Sequence, residues 1–279
     1  MTEIPLPVPA PQALPTGVID SHCHLDIIQS TSGLDIGRAL TTAADVGVVG
    51  VVDVGVDVDS SRRSVEIAKE HPAVVGAVVG IHPNAAPTLL EMHTLGAELE
   101  AIAALGADPS VIGIGETGLD YFRTEAAGRQ AQHESFRAHI QLAKDLNKTL
   151  VIHDRDAHDD VLAILNEVGA PQRVIFHCFS GGPEMARFVS DSGWYLSFAG
   201  VVTFKNAESL REALDVADRE RILVETDAPY LTPTPNRGKP NASYLMPDTV
   251  RVMAQRRGVE VGELGEQLFR NTHAAFGLS

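Results

Sequence analysis

From Val18 onward the chain alternates short apolar, β-branched runs with longer stretches whose apolar residues recur at helical spacing. That alternation is the pattern of repeated strand–helix units that build a parallel sheet. Eight runs read as strands: Gly17–His22, Val48–Val54, Val74–Val79, Val111–Gly115, Thr149–His153, Val174–His177, Tyr195–Phe198 and Ile222–Glu225. Runs such as VVGAVVG and GVVGVVDVGV are apolar at almost every position rather than every second one, as expected of strands covered on both faces. Helical periodicity predicts Leu34–Asp45, Ser60–Glu70, Leu89–Leu105, Arg129–Leu146, Ala157–Val168, Pro183–Asp191, Glu208–Ala217, Pro247–Arg257 and Val261–Phe276. Pro183 and Pro247 fall in first turns, where the missing N–H has no helical partner anyway.

Residues 1–16 break the pattern. They hold five of the sixteen prolines, which forbids regular helix and predicts an extended Pro-rich leader outside the core. No linker or shift in composition divides residues 17–279, so one domain is expected there. An open doubly wound sheet is the alternative architecture, but eight is the strand number of a (β/α)8 TIM barrel, and a barrel of this kind needs roughly 250 residues. The expected fold class is therefore α/β, a single (β/α)8 barrel.

Charge narrows the partners. Lys and Arg number 22 against 37 Asp and Glu, a net charge of −15, and such a field repels polyanions at long range. A protein that tracks duplex DNA along many phosphates is excluded by this balance, whereas a site gripping one or two phosphates is not. The two cysteines, Cys23 and Cys178, are read as reduced and packed outward. With no run of about 18 apolar residues and no basic-then-apolar start, neither a membrane span nor a secretory signal is expected, and the default location is cytoplasmic. No heptad repeat argues for assembly, so a monomer is expected.

In a barrel, chemistry gathers at the carboxyl ends of the strands. Those ends read Asp20-Ser-His22-Cys-His24, Gly80-Ile-His82-Pro83, Gly115-Glu116, Ile152-His153-Asp154-Arg155, Phe176-His177-Cys178 and Glu225-Thr-Asp227. With 11 histidines in 279 positions an H-x-H pair arises about 0.4 times by chance, so His22 and His24 alone prove nothing. Their joint placement with Glu116, His153, His177 and Asp227 carries the weight: four imidazoles and two carboxylates exceed what one tetrahedral ion needs and suit two divalent ions bridged by a carboxylate. The donor types favour Zn²⁺ or Mn²⁺, with Mg²⁺ also admissible. Asp20 and Glu225 share strand faces with these residues and are expected to orient them. Arg123, Arg155, Lys205, Arg237 and Lys239 follow strands at the expected mouth, with Arg155 and Arg237 the candidate phosphate contacts; His82 is a candidate for substrate or ligand support, and Tyr121 or Phe122 for stacking a base. The histidines of predicted helices, His71, His93, His133, His139, His158 and His273, are read as surface or packing residues.

At these residues the sequence resembles the TatD family of metal-dependent deoxyribonucleases. The matching segments are IDSHCHLD (Ile19–Asp26), GIHP (Gly80–Pro83), IGETGLDY (Ile114–Tyr121), IHDRDA (Ile152–Ala157), HCFSG (His177–Gly181), ETDAPYLTP (Glu225–Pro233) and N-x-x-x-x-F at Asn271 and Phe276. The resemblance implies a TIM barrel, with His22, His24 and Asp227 on one metal, His153 and His177 on a second, and Glu116 bridging them. It departs from the family's frequent IGEIGLDYY at Thr117 and Phe122, neither of which is a ligand. The implied activity is phosphodiester hydrolysis by water whose pKa the metals lower, with Asp227 as the proton acceptor and Glu116 in the catalytic centre. The acidic body and small basic mouth point to single-stranded 3′ ends of DNA and a 3′-to-5′ exonuclease. A metal-dependent esterase or deacylase, for example of aminoacyl-tRNA, and a catalytically silent metal-binding barrel are the alternatives.

Overall fold

The computed structural model describes residues 6–278. Its strands are β1 (Val18–Cys23), β2 (Val48–Val54), β3 (Val74–Val79), β4 (Val111–Asp120), β5 (Thr149–Arg155), β6 (Val174–Phe176), β7 (Tyr195–Phe198) and β8 (Ile222–Val224). The helices are α1 (Leu25–Ser32), α2 (Ile36–Asp45), α3 (Val58–Glu70), α4 (Ala86–Glu91), α5 (Leu95–Gly106), α6 (Arg129–Asp145), α7 (His158–Val168), α8 (Pro183–Asp191), α9 (Glu208–Val216), α10 (Met246–Arg257) and α11 (Val261–Phe276). The strands form one sheet in sequential order, every neighbouring pair parallel. At the carboxyl edge β1 meets the segment after β8: Asp227 N–H donates to the His22 carbonyl and His24 N–H to the Ala228 carbonyl, both at 2.9 Å. The result is the (β/α)8 barrel that the strand count predicts. Among the described residues no helix is long and apolar enough to cross a membrane.

Two apolar layers hold the barrel. Ile19, Val52, Val78, Val151, Ile175, Tyr195 and Leu223, contributed by seven strands, form one cluster around the axis, onto which Ala275 and Phe276 at the end of α11 pack. A larger cluster lies between the strands and the surrounding helices. Both faces of the sheet are thus buried, which is why the strands lack apolar–polar alternation. The polar side chains cluster beyond the apolar plug, at the carboxyl edge.

Within the barrel the structure differs from the sequence pattern chiefly in three elements. β4 runs on to Asp120 instead of stopping at Gly115. The stretch predicted as one helix over Leu89–Leu105 is two, α4 and α5, separated at Met92–Thr94, where His93 takes a positive φ of 59° that no helix continues through. α1 follows β1 almost directly, and its two turns, with only Leu25 and Ile28 buried, are too short for periodicity to reveal.

The leader over residues 6–16 has neither helix nor strand, as its prolines require, but it is not outside the core. Val8 is fully buried and Leu14 is 8% exposed. The Tyr244 hydroxyl donates to the Val8 carbonyl at 2.8 Å and accepts its N–H at 3.3 Å, while Leu14 N–H reaches the Val46 carbonyl at 2.9 Å. Extended backbone has no internal hydrogen bonds, so it lies down wherever neighbours can supply partners, and its apolar side chains are then free to bury. The remainder of the leader, with Pro5, lies outside the described residues. Leu14→Ala is therefore expected to cost about 2–3 kcal/mol and to lower Tm by roughly 5–10 °C. A thermal denaturation curve within about 1 °C of the parent would return the leader to the surface.

Candidate metal centre

The centre is built around Glu116, and a local irregularity of β4 puts it there. The register with β5 shifts between Ile114 and Thr117, and two glycines in and just after the shift have φ values of +148° (Gly115) and +135° (Gly118). A Cβ at Gly115 would lie 2.4 Å from the Val151 carbonyl oxygen, and one at Gly118 2.1 Å from that of His153. Only glycine fits at either position, and the bulge they permit aims Glu116 at the barrel axis. Its carboxylate is 3% exposed. Oε1 lies 2.7 Å from His153 Nδ1, 2.9 Å from His177 Nε2 and 3.4 Å from His82 Nε2. Oε2 lies 3.3 Å from His22 Nε2 and 3.9 Å from His24 Nε2.

The other ligand candidates converge from neighbouring strands. His24 donates from Nδ1 to the Val54 carbonyl at 2.7 Å, which turns Nε2 toward Asp227 Oδ1, 3.5 Å away. His22 stacks on His177, ring centroids 3.9 Å apart. Three groups have ligand atoms within 4.8 Å of one another: His22–His24–Asp227, His22–Glu116–His177 and His82–Glu116–His153. Both ring nitrogens of His22 and Nε2 of His153 are buried without a hydrogen-bond partner among the described residues. Buried and half-buried imidazole and carboxylate groups whose ligand atoms crowd within 4.8 Å of one another are what a divalent cation requires, so the residues present fit one.

The protonation equilibria reflect this crowding. Burial alone would raise the Glu116 carboxyl, but the His177 and His82 charges and the His153 and His177 hydrogen bonds hold it well below the usual carboxylate range. Burial likewise opposes a charge on His24, and Asp227, with Glu116 and the Val54 carbonyl, overrides it and lifts the imidazole to about 9. His177 is held well above its ordinary value against burial by Glu116 and Glu225, whereas burial and the His177 charge lower His22. The imidazoles around Glu116 are the same groups that, deprotonated, would be able to ligate a metal.

A second layer of contacts fixes the ligand candidates. Glu225 Oε1 accepts from His177 Nδ1 at 3.2 Å and from Cys178 N–H at 2.7 Å. Asp20 touches neither His ring; its carboxylate instead accepts the backbone N–H of Thr226 at 2.9 Å and of His22 at 3.3 Å, and the Thr226 hydroxyl at 2.6 Å. It ties together the two segments that carry His22 and Asp227. Asn241 Nδ2 donates to the Thr226 carbonyl at 3.1 Å and to that of Tyr230, holding the loop after β8.

A cavity of about 670 Å³ opens over the centre, and His24, His82, Glu116, His153, Arg155, His177 and Asp227 all line it. Arg123 lines it too. Tyr121 and Arg237 do not. The Tyr121 ring is covered by the Arg129 guanidinium at 3.9 Å and its hydroxyl bonds Asp160 and His133, each at 2.5 Å. Arg237 is exposed and stacks on Phe204 at 4.2 Å, and Lys205 and Lys239 are likewise exposed off the cavity. Cys178, expected to pack outward, lines the cavity, because its φ of 42° turns the chain just past β6. Asn84, Asp120, Asp154 and Tyr230 line it without having been singled out. Asp120 and Tyr230 follow motif glycine and proline residues closely enough to be suspected, but nothing in the sequence marks Asn84. Asp120 Oδ2 lies 3.4 Å from His153 Nε2 and accepts from Asn84 Nδ2 at 3.2 Å.

Comparison with known proteins agrees with this geometry. The family model described as TatD related DNase matches residues 19–277. The uncharacterized metal-dependent hydrolase TatD of Mycobacterium tuberculosis is 41% identical over 265 residues, covering 94% of this chain and 98% of that protein. The uncharacterized metal-dependent hydrolase YcfH of Escherichia coli K12 is 38% identical over 251 residues, 89% of this chain and 91% of that protein. Among solved structures, the TatD homolog YjjV of Escherichia coli superposes with a TM-score of 0.85 at 26% identity, covering 94% of this chain and 98% of its own.

One helical histidine does more than fill space. His139 of α6 is fully buried; Nδ1 donates to the Ser135 carbonyl at 2.7 Å and Nε2 accepts Ile81 N–H at 3.0 Å, which anchors the segment carrying His82. Burial lowers its pKa to about 4 from the ordinary 6.5. Between those values the unfolded chain binds a proton that the folded one refuses, so the stability present above pH 6.5 is lost as pH falls toward 4, by about 3 kcal/mol in all. Asp20 and Asp53, raised to about 6 by burial, act with the opposite sign in the same window. The parent–variant difference therefore isolates the histidine. His139→Gln, which keeps an acceptor but does not titrate here, is expected to lose that acid-side decline in urea unfolding measured across the window, and parallel pH profiles would refute the assignment.

Proposed function

The chain belongs to the TatD family of metal-dependent hydrolases, and on that premise we propose that it cleaves DNA phosphodiester bonds as a 3′-to-5′ exonuclease on single strands. The observation that carries the reading is the convergence of His22, His24, Glu116, His153, His177 and Asp227 beneath a cavity whose wall includes Arg123 and Arg155. His22, His24 and Asp227 would hold one divalent ion, His153 and His177 another, with Glu116 between them. Zn²⁺, Mn²⁺ and Mg²⁺ all suit these donors. When bound, such ions supply charge neutralisation for the phosphoryl oxygens and a lowered pKa for the attacking water.

The chain's own residues supply the rest. Asp227, beside His24 Nε2, accepts the proton of the attacking water at its carboxylate. Glu225 fixes the His177 ring, and Asp20 keeps the His22 and Asp227 segments at their mutual spacing. Arg155 meets a phosphate oxygen next to the scissile bond. Because the body carries a net charge of −15, only the few phosphates inside the cavity find positive partners, which favours the end of a single strand over a duplex.

Metal analysis at saturating Mn²⁺ or Zn²⁺ is expected to find up to two ions per chain, and a ceiling of one would remove the bridged arrangement. Glu116→Ala and Asp227→Asn are expected to abolish hydrolysis in folded protein; near-parental turnover in either removes that residue from the mechanism. Arg155→Ala is expected to lower kcat/KM on single-stranded DNA by roughly ten- to a hundredfold, about 1.4–2.7 kcal/mol of transition-state binding. The logarithm of affinity should fall with that of salt at a slope of about −1 to −2, one to three phosphates' worth. A steep slope would contradict the strand-end reading. Turnover of aminoacyl-tRNA or simple esters in preference to DNA would move the assignment to a deacylase.

A further inference from the structure

Phe122 is 63% exposed and belongs to neither apolar cluster, yet its ring is not idle. The Arg155 guanidinium carbon lies 3.9 Å from the ring centroid. The strand register brings the two together: Asp120 of β4 pairs with Arg155 of β5, and Tyr121 N–H donates to the Arg155 carbonyl at 2.9 Å. The turn that follows is pinned on both sides. Asp120 Oδ1 accepts Arg123 N–H at 2.9 Å, and Tyr121 is held by Arg129, His133 and Asp160. With Tyr121 fastened on one side, Phe122 is presented on the other, where the side chain of Arg155 lies.

Arg155 lines the cavity, yet among the described residues its guanidinium makes no ion pair or hydrogen bond. Arg137, Arg211 and Arg256, by contrast, are each paired with a carboxylate. An arginine with its donors free and its plane laid against an aromatic ring keeps its hydrogen-bonding edge for a ligand while its rotamers are restricted.

We infer that Phe122 is a positioning residue: its exposed ring is a shelf that fixes the Arg155 guanidinium toward the phosphate of the bound strand end, an inference that rests on the nucleic-acid reading of this cavity. The ring acts through Arg155 and not by stacking a base itself. An exposed aromatic that supports neither core can be removed without unfolding the protein, so its effect is readable in binding.

The test is a double-mutant cycle in the full-length, metal-loaded protein. Affinity is read by fluorescence anisotropy with a short labelled oligothymidylate whose phosphorothioate linkages resist cleavage, and kinetics with the unmodified strand. Phe122→Ala is expected to weaken binding and raise KM about three- to tenfold, with kcat within about twofold of the parent. Phe122→Tyr and Phe122→Trp should restore both, and Phe122→Ala should add nothing in an Arg155→Ala background. Additive losses would mean that the ring contacts the strand directly and would overturn the inference. So would Arg155→Ala weakening binding while Phe122→Ala leaves it unchanged. Should Arg155→Ala itself leave oligonucleotide affinity intact, the strand-end reading falls together with the inference.

Discussion

A carboxylate buried at the centre of a barrel is stable only if its charge is met, and Glu116 is met by five imidazoles. Every strand that contributes one of those rings must end at the depth where Glu116 projects. Glu116 reaches that depth because Gly115 and Gly118 let β4 bulge where any side chain would strike the β5 backbone. The centre is therefore a property of the barrel's closure: His22 comes from the first strand and His24 from just past its end, Asp227 from just beyond the last, and the two ends are stitched by the hydrogen bonds between His22, His24, Asp227 and Ala228.

Around that charge balance the protein distributes its support unevenly. Glu225 touches the His177 ring, whereas Asp20, Asn241 and His139 act on backbone, holding the segments that carry His22, Asp227 and His82. Backbone anchors of this kind fix where a ligand starts from, leaving its rotamer to be set by neighbours such as the Val54 carbonyl on His24. Both kinds of support are fully buried, so they are held by the same packing that holds the fold.

The acidic surface and the two arginines at the cavity wall divide the electrostatic work. Paired arginines lie on the outer helices, where Arg137, Arg211 and Arg256 meet carboxylates, while Arg155 lines the cavity with its hydrogen-bond donors unspent among the described residues. A net charge of −15 discourages long polyanions from lying along the body, and a few local donors suffice for a phosphate that has entered. Net charge thus restricts how much of a polyanion can be engaged without deciding whether one can be.

Much of the molecule was legible in the sequence. Eight apolar β-branched runs spaced by helical periodicity specify the barrel, because a strand buried on both faces must be apolar throughout, and the six ligand candidates are visible because strand ends share one edge. The short helix α1 and the break that sets off α4 from α5 were not legible, since about two turns or fewer carry no measurable period. Nor was the fate of the leader, where proline content fixes an extended backbone but not what Val8 and Leu14 bury against. Side-chain destination was the other limit. Tyr121 and Phe122 are adjacent aromatic residues with equal claim to the cavity, and Arg237 follows a strand just as Arg155 does. Only the register of β4 with β5 and the contacts of Arg129, Asp160 and Phe204 decide that Arg155 lines it, that Tyr121 and Arg237 do not, and that Phe122 lies against Arg155 instead. Spacing along a chain sets which residues share an edge, but where each side chain points depends on partners far away in sequence, and those partners exist only once the barrel has closed.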